Sequence, residues 1–566
     1  MSLPRPDIDR LGESAYGVPR LSGPIDLWLD GNEGPAPTQA VCQELANLDP
    51  EILRRYPDAK PLERELAAQL GVPGSRVFVT AGADEGIDRF CRAFLSPGRN
   101  AVVLAPAFEM QVRYAQLAGA EVREVDWMSG EFPIERVLDA VDADTCVIAI
   151  ASPNNPTGLT MPRDMIEELV RRAPDVWLML DLVYAEFLDD DPTAFAIGLP
   201  NSIVLRSLSK SGGLAGLRVG YAVGPEDAIA AMRRAGGPYS VAGPSLALAS
   251  RFVRESSSAF EAFRKVVERE RNTLRGVLLE CGLGVEPGTA NFLLARTPRS
   301  RWLWEGLASF GIAVRWFAGR RDLEDAVRIT CPGDPVSFAR LLAGLRATLA
   351  PQAILFDMDG VLVDVSDSYD LAIIETAASF GVTVTREDIA AAKARGDANN
   401  DWRVTKGLLE ARGCDAALDE VTRRFEEAYQ TRLWKNEILT VDPEWLAALS
   451  RRVTLGVVTG RPRKDAERFL ESAGIDACFS TVVCMEDAAP KPSPEPVTLA
   501  LSRLNCDTAW FVGDTVDDVR AARAAAVVPL GIVAPGDDPE DPRTNLTATG
   551  AARVLDVLTE LEQLLP

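Results

Sequence analysis

Short apolar runs alternate with longer helix-like segments from about residue 26 to residue 240. The runs are rich in Val, Ile and Leu, and the segments between them carry apolar residues at helical spacing, as in 162–170. Parallel strands need a long crossover, which is usually a helix. The alternation therefore predicts an α/β fold, with a mostly parallel sheet covered by helices. The strand candidates are 77–80, 101–104, 146–150, 176–180 and 203–205.

Residues suited to a ligand site follow these candidate strands. Gly82 opens a helix-like segment, where backbone N–H groups can bind a phosphate. Segment 152–158 forms an Asn-Pro turn, and Asp181 ends another run, with Tyr184 three residues later. Each feature alone also fits a helix cap or a simple turn. Because ligands collect beyond the carboxyl ends of parallel strands, their order predicts one common site.

Lys210 lies in segment 207–218, among hydroxyl groups and glycines and between two apolar runs. A lysine in a dry interior loses proton affinity and becomes an amine nucleophile. Hydroxyl groups and Arg218 can hold a phosphate. An ordinary loop with a solvated lysine fits this segment equally well. Together with the upstream residues, the segment predicts a seat for pyridoxal phosphate, with Lys210 as the amine that bonds it.

Composition narrows the classes of function. The length of 566 residues predicts about two to four domains. A net charge of -23 excludes nucleic-acid and membrane-surface partners, because no basic excess meets a polyanion. Nine scattered cysteines without a C-x-x-C pair, and an N-terminus unlike a signal peptide, favour the cytoplasm. No apolar run approaches the length needed to span a membrane. The chain has no histidine, so any acid–base catalysis must come from Lys, Asp, Glu, Tyr or Cys.

Residues 1–350 resemble a fold-type I aminotransferase, most closely the histidinol-phosphate aminotransferases. The resemblance implies a large cofactor-binding domain at about 30–245 and a small domain made of 1–29 and 246–350. It also implies a homodimer that acts on small molecules, with glutamate as the amino donor. The segments that carry it are 29–35, 55–58, 81–86, 152–158, 181–184, 207–218 and 327–330.

The resemblance assigns cofactor roles to particular residues. Asp181 would pair with the pyridinium nitrogen, which keeps the ring able to accept electrons. Asn155 and Tyr184 would bond the ring hydroxyl, and the aromatic face of Phe108 would stack on the ring, although the family usually has tyrosine there. The cofactor phosphate would be held by Gly82, Ala83, Asp84, Ser207, Ser209 and Arg218, together with Tyr56 of the neighbouring subunit.

The same resemblance predicts the substrate side of this site. Arg315 and Arg328 would bind a carboxylate or phosphate, which suits a planar guanidinium. Asn291 and Tyr16 would complete the pocket. A surface arginine is the simpler alternative for Arg315. The segment after Arg328 departs from the family pattern, and this departure bears on the substrate pocket rather than on the cofactor site.

A second series of strand-end residues begins after residue 350. The apolar run 353–356 leads into Asp357 and Asp359, and two carboxylates so close repel unless a cation lies between them. An EF-hand-like or capping interpretation fits less well. Further polar residues end later strands, namely Thr459, Lys491, Asp514 and Asp518.

This ordered set makes residues 351–566 similar to the haloacid dehalogenase superfamily, in its phosphoglycolate-phosphatase-like branch. The resemblance implies that Asp357 attacks phosphorus and Asp359 protonates the leaving oxygen, while Thr459 and Lys491 steady the phosphoryl group. Mg²⁺ would be bound by Asp357, Asp359 through its backbone, Asp514 and Asp518. A helical cap would span about 366–437, where Arg395, Lys406 and Arg432 fit solvated charges better than substrate contacts.

The two halves together predict a bifunctional enzyme. The first would transaminate a phosphorylated ketone, best fitted by imidazole-acetol phosphate, and the second would dephosphorylate the resulting amino-alcohol phosphate. Three alternatives stay open. They are an aminotransferase of specialised metabolism fused to an unrelated phosphatase, a threonine-phosphate-decarboxylase-like lyase, and a second half that serves only as a binding module.

Overall fold

The computed structural model describes residues 17–21, 23–37, 39–255, 257–394, 400–537 and 539–566. Its strands are β1 Leu27–Leu29, β2 Val77–Thr80, β3 Asn100–Ala105, β4 Glu121–Asp126, β5 Thr145–Ala151, β6 Trp177–Asp181, β7 Ser202–Ser207, β8 Gly220–Val223, β9 Gly284–Val285, β10 Phe292–Arg296, β11 Ile312–Trp316, β12 Ala326–Thr330, β13 Ala353–Phe356, β14 Val363–Asp364, β15 Ile438–Leu439, β16 Thr454–Val458, β17 Thr481–Val483, β18 Ala509–Gly513, β19 Val528–Ile532 and β20 Arg553–Leu555.

The α-helices lie mainly between these strands, as parallel crossovers require. They are Gln39–Ala46, Glu51–Arg54, Lys60–Leu70, Gly82–Phe94, Glu109–Leu117, Ile134–Asp139, Arg163–Arg172, Thr193–Ala196, Glu226–Arg234, Gly243–Glu255, Ser257–Glu280, Ser300–Ser309, Pro335–Leu349, Tyr369–Ser379, Arg386–Ala394, Asp401–Glu410, Leu418–Thr431, Pro443–Ser450, Arg463–Ala473, Glu495–Leu504, Val516–Ala524 and Glu540–Thr549. Short 3-10 helices are Gly74–Arg76, Ala185–Phe187, Ala215–Leu217, Leu433–Asn436, Asp476–Cys478 and Leu558–Gln563.

The first half of the chain forms a seven-stranded sheet in the order β2-β8-β7-β6-β5-β3-β4. All neighbours are parallel except β8, which is antiparallel to both β2 and β7. Its central strands are buried on both faces, which explains why they read as continuous apolar runs rather than alternating ones. The five predicted strands coincide with β2, β3, β5, β6 and β7, and the predicted α/β fold is confirmed.

Two further sheets follow. One is five-stranded, in the order β1-β11-β12-β10-β9, and the other is six-stranded and parallel, in the order β17-β16-β13-β18-β19-β20. Between β13 and β16, the four helices from Tyr369–Ser379 to Leu418–Thr431 lie within the predicted cap, and the antiparallel pair β14–β15 brackets them.

The chain divides into two compact units. The first contains the described residues up to Pro19, Leu29–Pro298 and Val314–Phe338, and the second contains the ranges Arg20–Trp28, Arg299–Ala313 and Ala339–Pro566. The second unit therefore includes helix Ser300–Ser309 and most of helix Pro335–Leu349, upstream of the boundary at residue 350 that the sequence predicts.

A shared core explains this grouping within the second unit. The rings of Trp302 and Trp510 pack edge to face, with centroids 5.1 Å apart. The indole nitrogens of Trp302 and Trp510 donate to the carbonyls of Thr348 and Ala347, at 3.1 and 2.8 Å. Helix Ser300–Ser309 and the end of helix Pro335–Leu349 are thus part of the hydrophobic core built on the six-stranded sheet.

Candidate active sites

The first candidate site is a cavity of about 510 Å³ in the first unit, beyond the carboxyl ends of β5, β6 and β7. This volume lies in the range of small-molecule sites. Most of the cofactor residues that the sequence predicts line it, together with eight residues to which the sequence assigned no role, namely Gly31, Asn32, Glu33, Met110, Tyr114, Ala151, Val183 and Ala215. The complete lining is Gly31, Asn32, Glu33, Ala83, Asp84, Phe108, Met110, Tyr114, Ala151, Asn155, Asp181, Val183, Tyr184, Ser207, Ser209, Lys210, Ala215, Arg218 and Arg328.

Lys210 projects from the turn that follows β7. Its Nζ donates to the carbonyl oxygen of Gly31 at 2.9 Å and lies 5.9 Å from the centroid of the Tyr184 ring. The segment around Gly31 approaches the lysine turn so closely that a Cβ at Gly34 would lie 1.9 Å from the Lys210 carbonyl oxygen. Glycine at residue 34 thus lets two distant segments enclose the amine.

Asp181 lies at the carboxyl end of β6 and is buried. Burial raises the pKa of its carboxyl group to about 7, with a smaller contribution from the charge of Asp84, while a hydrogen bond from the backbone N–H of Val183 opposes the shift. A buried carboxyl group of this kind suits a cationic ring nitrogen, whose positive charge would offset the cost of ionisation.

This shift predicts a pH-dependent stability for the cofactor-free protein. In the folded state Asp181 keeps its proton up to about pH 7, whereas in the unfolded chain it loses the proton near pH 4. Folded protein therefore binds more protons in this window, and stability falls as pH rises through it. Asp181→Asn should consequently gain stability relative to wild type between pH 4 and 8, by at most about 4 kcal/mol.

Urea denaturation of the cofactor-free protein at pH 4, 6 and 8 measures this gain. Asp175→Asn, at an exposed aspartate just before β6, is the matched control for replacing a carboxyl group by an amide. An Asp181→Asn difference that does not change with pH would contradict the burial of an ionisable group at this position.

Tyr184 is held by a buried chain of hydrogen bonds. Asn32 Nδ2 donates to the Tyr184 hydroxyl at 2.9 Å, and the hydroxyl of Thr330 donates to Asn32 Oδ1 at 2.8 Å. Asn291 Nδ2 donates to the carbonyl oxygen of Asn32 at 3.2 Å. Burial raises the pKa of Tyr184 to about 12, so its hydroxyl keeps its proton and remains a donor. Asn32 therefore lines the cavity and holds Tyr184, whereas Asn291 does not line it and supports Asn32 from outside.

Two serine hydroxyls and the Arg218 guanidinium also line the cavity. The backbone N–H of Ser209 donates to Ser207 Oγ at 3.1 Å, and Arg218 lies 3.5 Å from Ser209 Oγ and 2.9 Å from Asp84. A Cβ on Gly82, which has φ of 75°, would lie 2.4 Å from the Arg218 guanidinium. The start of helix Gly82–Phe94 thus meets Arg218, as an anion site requires.

Of the predicted substrate residues Arg315 and Arg328, only Arg328 lines the cavity. Arg328 lines the cavity and donates to Asn155 Oδ1 and to the carbonyl of Asp30, both at 2.5 Å. Arg315 is buried outside the lining and donates to the carbonyl oxygen of Gly17 at 2.8 Å. Tyr16 lies outside the described residues. Tyr56, which was predicted to reach the cofactor phosphate of a neighbouring subunit, is 82% exposed and stacks on the ring of Tyr239, and that role stays a prediction.

The donor set fits pyridoxal phosphate. The cavity combines an amine at Lys210, a buried carboxyl group at Asp181 and the ring of Phe108. Hydroxyls, a guanidinium and the start of a helix line the same cavity, and they would hold a phosphate. The cavity volume of about 510 Å³ leaves space for a planar ring and a substrate.

The second candidate site lies beyond the carboxyl ends of β13 and β18, in the second unit. One carboxylate oxygen from each of Asp357, Asp514 and Asp518 lies within 4.8 Å of the other two. A Cβ at Gly360, which has φ of 72°, would lie 2.3 Å from an oxygen of Asp514, so glycine is required for this approach. Three carboxylates this close fit a hard divalent cation such as Mg²⁺.

Lys491 is buried against the same carboxylates. Its Nζ lies 2.9 Å from Asp357 and 2.6 Å from Asp518. Burial alone would lower the pKa of Lys491, but the charges of Asp357 and Asp518 outweigh burial and raise it above its ordinary value. The ammonium is therefore a fixed positive charge beside Asp357, as a transferring phosphoryl group would need. Lys491 and Thr459 also line an adjacent cavity of about 220 Å³.

The side chain of Asp359 is not in the carboxylate cluster. It accepts two hydrogen bonds from Arg461, a residue that the sequence interpretation did not single out. The metal role predicted for Asp359 rests on its backbone and stays a prediction. A cavity of about 60 Å³ covers both aspartates and is lined by Asp357, Asp359, Val365, Tyr369, Asn400, Asp401, Trp402, Gly460, Arg461, Pro462, Met485, Asp514 and Thr515.

Lys406 and Arg432, two of the three cap cations considered in the sequence, form ion pairs with nearby carboxylates. Lys406 pairs with Glu410 at 3.1 Å along its own helix, and Arg432 pairs with Glu375. Neither lines the cavity over the aspartates. Arg395 lies outside the described residues. Within the described part of the cap, the side chains over the aspartates are Tyr369, Asn400, Asp401 and Trp402.

Two family models match successive parts of the chain. Residues 27–345 match aminotransferase class I and II, and residues 351–526 match haloacid dehalogenase-like hydrolase. Among the described residues, no helix has the length and apolar character needed to cross a membrane.

Two curated proteins are each similar to part of this chain. Histidinol-phosphate aminotransferase from Roseiflexus castenholzii is 35% identical over 351 residues, which cover 58% of this chain and 93% of that protein. An imidazoleglycerol-phosphate dehydratase from Phytophthora nicotianae is 46% identical over 197 residues, or 32% of this chain. The chain spans only 44% of the length of that dehydratase.

A solved structure shows the same architecture. A putative histidinol-phosphate aminotransferase from Erwinia carotovora atroseptica aligns with a TM-score of 0.52 and 27% identity, covering 58% of this chain and 97% of its own. Histidinol-phosphate aminotransferase from Sinorhizobium meliloti, solved with pyridoxal-5'-phosphate, aligns with a TM-score of 0.51 at 21% identity, which shows the fold alone.

Proposed function

The chain belongs to the class I and II aminotransferases through residues 27–345 and carries a haloacid dehalogenase-like hydrolase domain at 351–526, and on this premise we propose that it transaminates a phosphorylated ketone and then dephosphorylates the product. The best candidate ketone is imidazole-acetol phosphate, with glutamate as amino donor. The product would be histidinol phosphate, and the hydrolase would release histidinol.

The chemistry of the relatives supports this pair of steps. An aminotransferase named for histidinol phosphate leaves a phosphate ester, which is the substrate class of a phosphatase. Dehydration of a glycerol phosphate side chain gives an enol that becomes a ketone. A dehydratase of imidazoleglycerol phosphate, another similar protein, would therefore yield the ketone that the transamination consumes.

In the first half, Lys210 would move the proton between substrate carbon and cofactor. Pyridoxal phosphate, when bound, supplies a ring that accepts electrons from the substrate carbon. Asp181 would hold the ring nitrogen protonated, while Tyr184 and Asn155 would bond the ring hydroxyl. Arg328, a buried residue that lines the same cavity, would supply a guanidinium for the carboxylate of glutamate or for a substrate phosphate.

In the second half, Asp357 would attack phosphorus while Asp359 gives a proton to the leaving oxygen. Asp357, Asp514 and Asp518 would hold Mg²⁺, together with the backbone of Asp359, and the ion would neutralise charge on the phosphoryl oxygens. This carboxylate cluster beside a buried lysine is the observation that supports turnover over a mere binding module.

Charges around the leaving group favour an amino-alcohol. Of the described residues that line the cavity, Arg461 is the one cation, and its guanidinium is bonded to Asp359 and Glu437. The cap side offers the carboxylate of Asp401 and the ring of Trp402. Carboxylate and aromatic groups attract a cationic alcohol and disfavour a leaving group that carries a carboxylate.

A homodimer is also part of the proposal. Tyr56 is 82% exposed and Tyr239 is 55% exposed, and their rings stack with centroids 4.8 Å apart. An exposed aromatic pair of this kind is typical of an interface, and a second copy would cover it. None of the nine cysteines, all of which lie within the described residues, forms a disulfide, and the proposed location is the reducing cytoplasm.

The decisive experiment supplies the full chain with glutamate, imidazole-acetol phosphate, pyridoxal phosphate and Mg²⁺. We expect 2-oxoglutarate, then histidinol and inorganic phosphate. Omitting Mg²⁺ and adding EDTA should stop the sequence at histidinol phosphate.

The products separate the alternatives. Release of carbon dioxide from a phosphorylated amino acid would favour the lyase. Formation of 2-oxoglutarate without phosphate release in the presence of Mg²⁺ would leave only the first step standing.

A further inference from the structure

A buried arginine, Arg461, connects Asp359, the proposed acid of the second site, to Glu437, where the chain leaves the cap. Arg461 follows Thr459 at the end of β16, and only 1% of its side chain is exposed. Its Nε and Nη2 donate to the same oxygen of Asp359, Oδ1, at 2.7 and 2.5 Å. Its third nitrogen, Nη1, donates to Glu437 at 3.0 Å.

Glu437 occupies the place where the chain leaves the cap. It directly precedes β15, which pairs with β14, the strand by which the chain enters the cap. Its side chain is 3% exposed, and its other oxygen accepts a hydrogen bond from the Tyr429 hydroxyl at 2.8 Å. Glu437 therefore ties Arg461 both to the cap helices and to the two strands that carry them.

Ring contacts fix the plane of the guanidinium. The Arg461 carbon Cζ lies 4.8 Å from the centroid of Tyr369, on the first cap helix, and 5.8 Å from that of Phe469. A planar fork can serve two carboxylates and stack on a ring at the same time, which a lysine ammonium cannot do. One buried side chain thus holds the acid, the cap strand and the cap helix in one arrangement.

From this geometry we infer that Arg461 is the positioning residue for Asp359 and that Glu437 sets the position of Arg461. The inference rests on the proposed phosphatase function. Asp357 forms a bond to phosphorus, the bond from phosphorus to the leaving oxygen breaks, and that oxygen takes a proton from Asp359. Water then attacks phosphorus and gives a proton back to Asp359, and the bond to Asp357 breaks as inorganic phosphate leaves. Because Oδ1 of Asp359 already accepts two N–H bonds, the proton is carried on Oδ2, which Arg461 thereby aims at the leaving oxygen.

Leaving groups of different basicity test this role. An alkyl alcohol needs a proton as it leaves, whereas p-nitrophenolate is a stable anion and needs none. Arg461→Lys keeps the charge and loses the fork, so kcat/KM for an alkyl ester such as histidinol phosphate, which reports the step in which the alcohol leaves, should fall about 100-fold, as for loss of a general acid. With p-nitrophenyl phosphate, kcat/KM should fall less than about threefold, because departure of this leaving group does not depend on the acid.

Three further variants complete the experiment. Arg463→Lys is the matched control, since this arginine lies two residues away and pairs with Glu467 and Asp487 instead, and no change is expected. Glu437→Gln keeps the shape of the side chain and should reproduce the leaving-group dependence of Arg461→Lys, even if the latter variant fails to fold. Asp359→Asn provides the reference pattern for loss of the acid.

Each outcome has one meaning. An equal fall for both esters in Arg461→Lys and Glu437→Gln would indicate a structural role and overturn the inference. If Asp359→Asn itself showed no dependence on the leaving group, the acid role in the proposed function and the inference would both be wrong. If only Asp359→Asn showed it, the proposed function would stand and the inference alone would fall.

Discussion

Replacing Lys210 by alanine is expected to reduce transamination at least about 1000-fold, because one change removes both a covalent attachment and a proton carrier. Its Nζ is the amine within the cavity, held beside the Gly31 carbonyl and the Tyr184 ring. No histidine exists in the chain to replace it as a base. The rate of 2-oxoglutarate formation from glutamate measures the loss.

A second readout follows bound pyridoxal phosphate directly. Wild-type protein incubated with the cofactor should be coloured, and Lys210→Ala should lose that visible band. Lys265→Ala, a 62% exposed lysine that pairs with Glu261, is the control and should keep both colour and rate. Undiminished transamination in Lys210→Ala would show that the cavity amine does not take part in the reaction.

The fold could be predicted because its signals are local. Strands buried on both faces must be apolar throughout, so β2, β6 and β7 are visible as short runs without any knowledge of the sheet order. The rule that ligands collect at strand ends then placed Asp181 and Lys210 near each other, and both line one cavity in the structure. Their catalytic roles stay predictions.

Other parts of the sites could not be predicted because they depend on pairing between distant segments. The Asn32–Tyr184 hydrogen bond joins residues 152 positions apart, and Arg461 reaches Asp359 across 102 positions. No periodicity connects such partners. The only signals were their neighbours, since Arg461 follows the Thr459-Gly460 pair, whose place at a strand end was already recognised.

The second unit includes helix Ser300–Ser309, and the sequence could not predict this because it does not show which distant segment packs against a helix. A helix such as Ser300–Ser309 indicates its apolar face from its sequence, but not the element that covers it. The edge-to-face contact between Trp302 and Trp510 joins residues on either side of residue 350. The position of a boundary in the sequence therefore says little about which core a helix completes.

Phosphate release is expected to fall at least about 1000-fold in Asp357→Asn, since an amide oxygen is a poor nucleophile toward phosphorus. The substitution preserves shape but removes the charge that pairs with Lys491 and shares the carboxylate cluster. Mg²⁺ should therefore be titrated to saturation, so that weaker metal binding is not mistaken for lost chemistry. Inorganic phosphate from histidinol phosphate is the quantity to measure.

Asp556→Asn, at an exposed side chain of the second unit, is the matched control and should release phosphate at the wild-type rate.

Transamination should continue in Asp357→Asn, because the residues of the first cavity all belong to the first unit. Supplied with a ketone and glutamate, this variant should then accumulate the phosphorylated amine. Lys210→Ala, in contrast, should form none yet still dephosphorylate that amine when it is supplied. Loss of both activities in either variant would contradict two separate sites acting in succession, whereas the phosphorylated amine that accumulates in Asp357→Asn would reveal the true substrate of the first half.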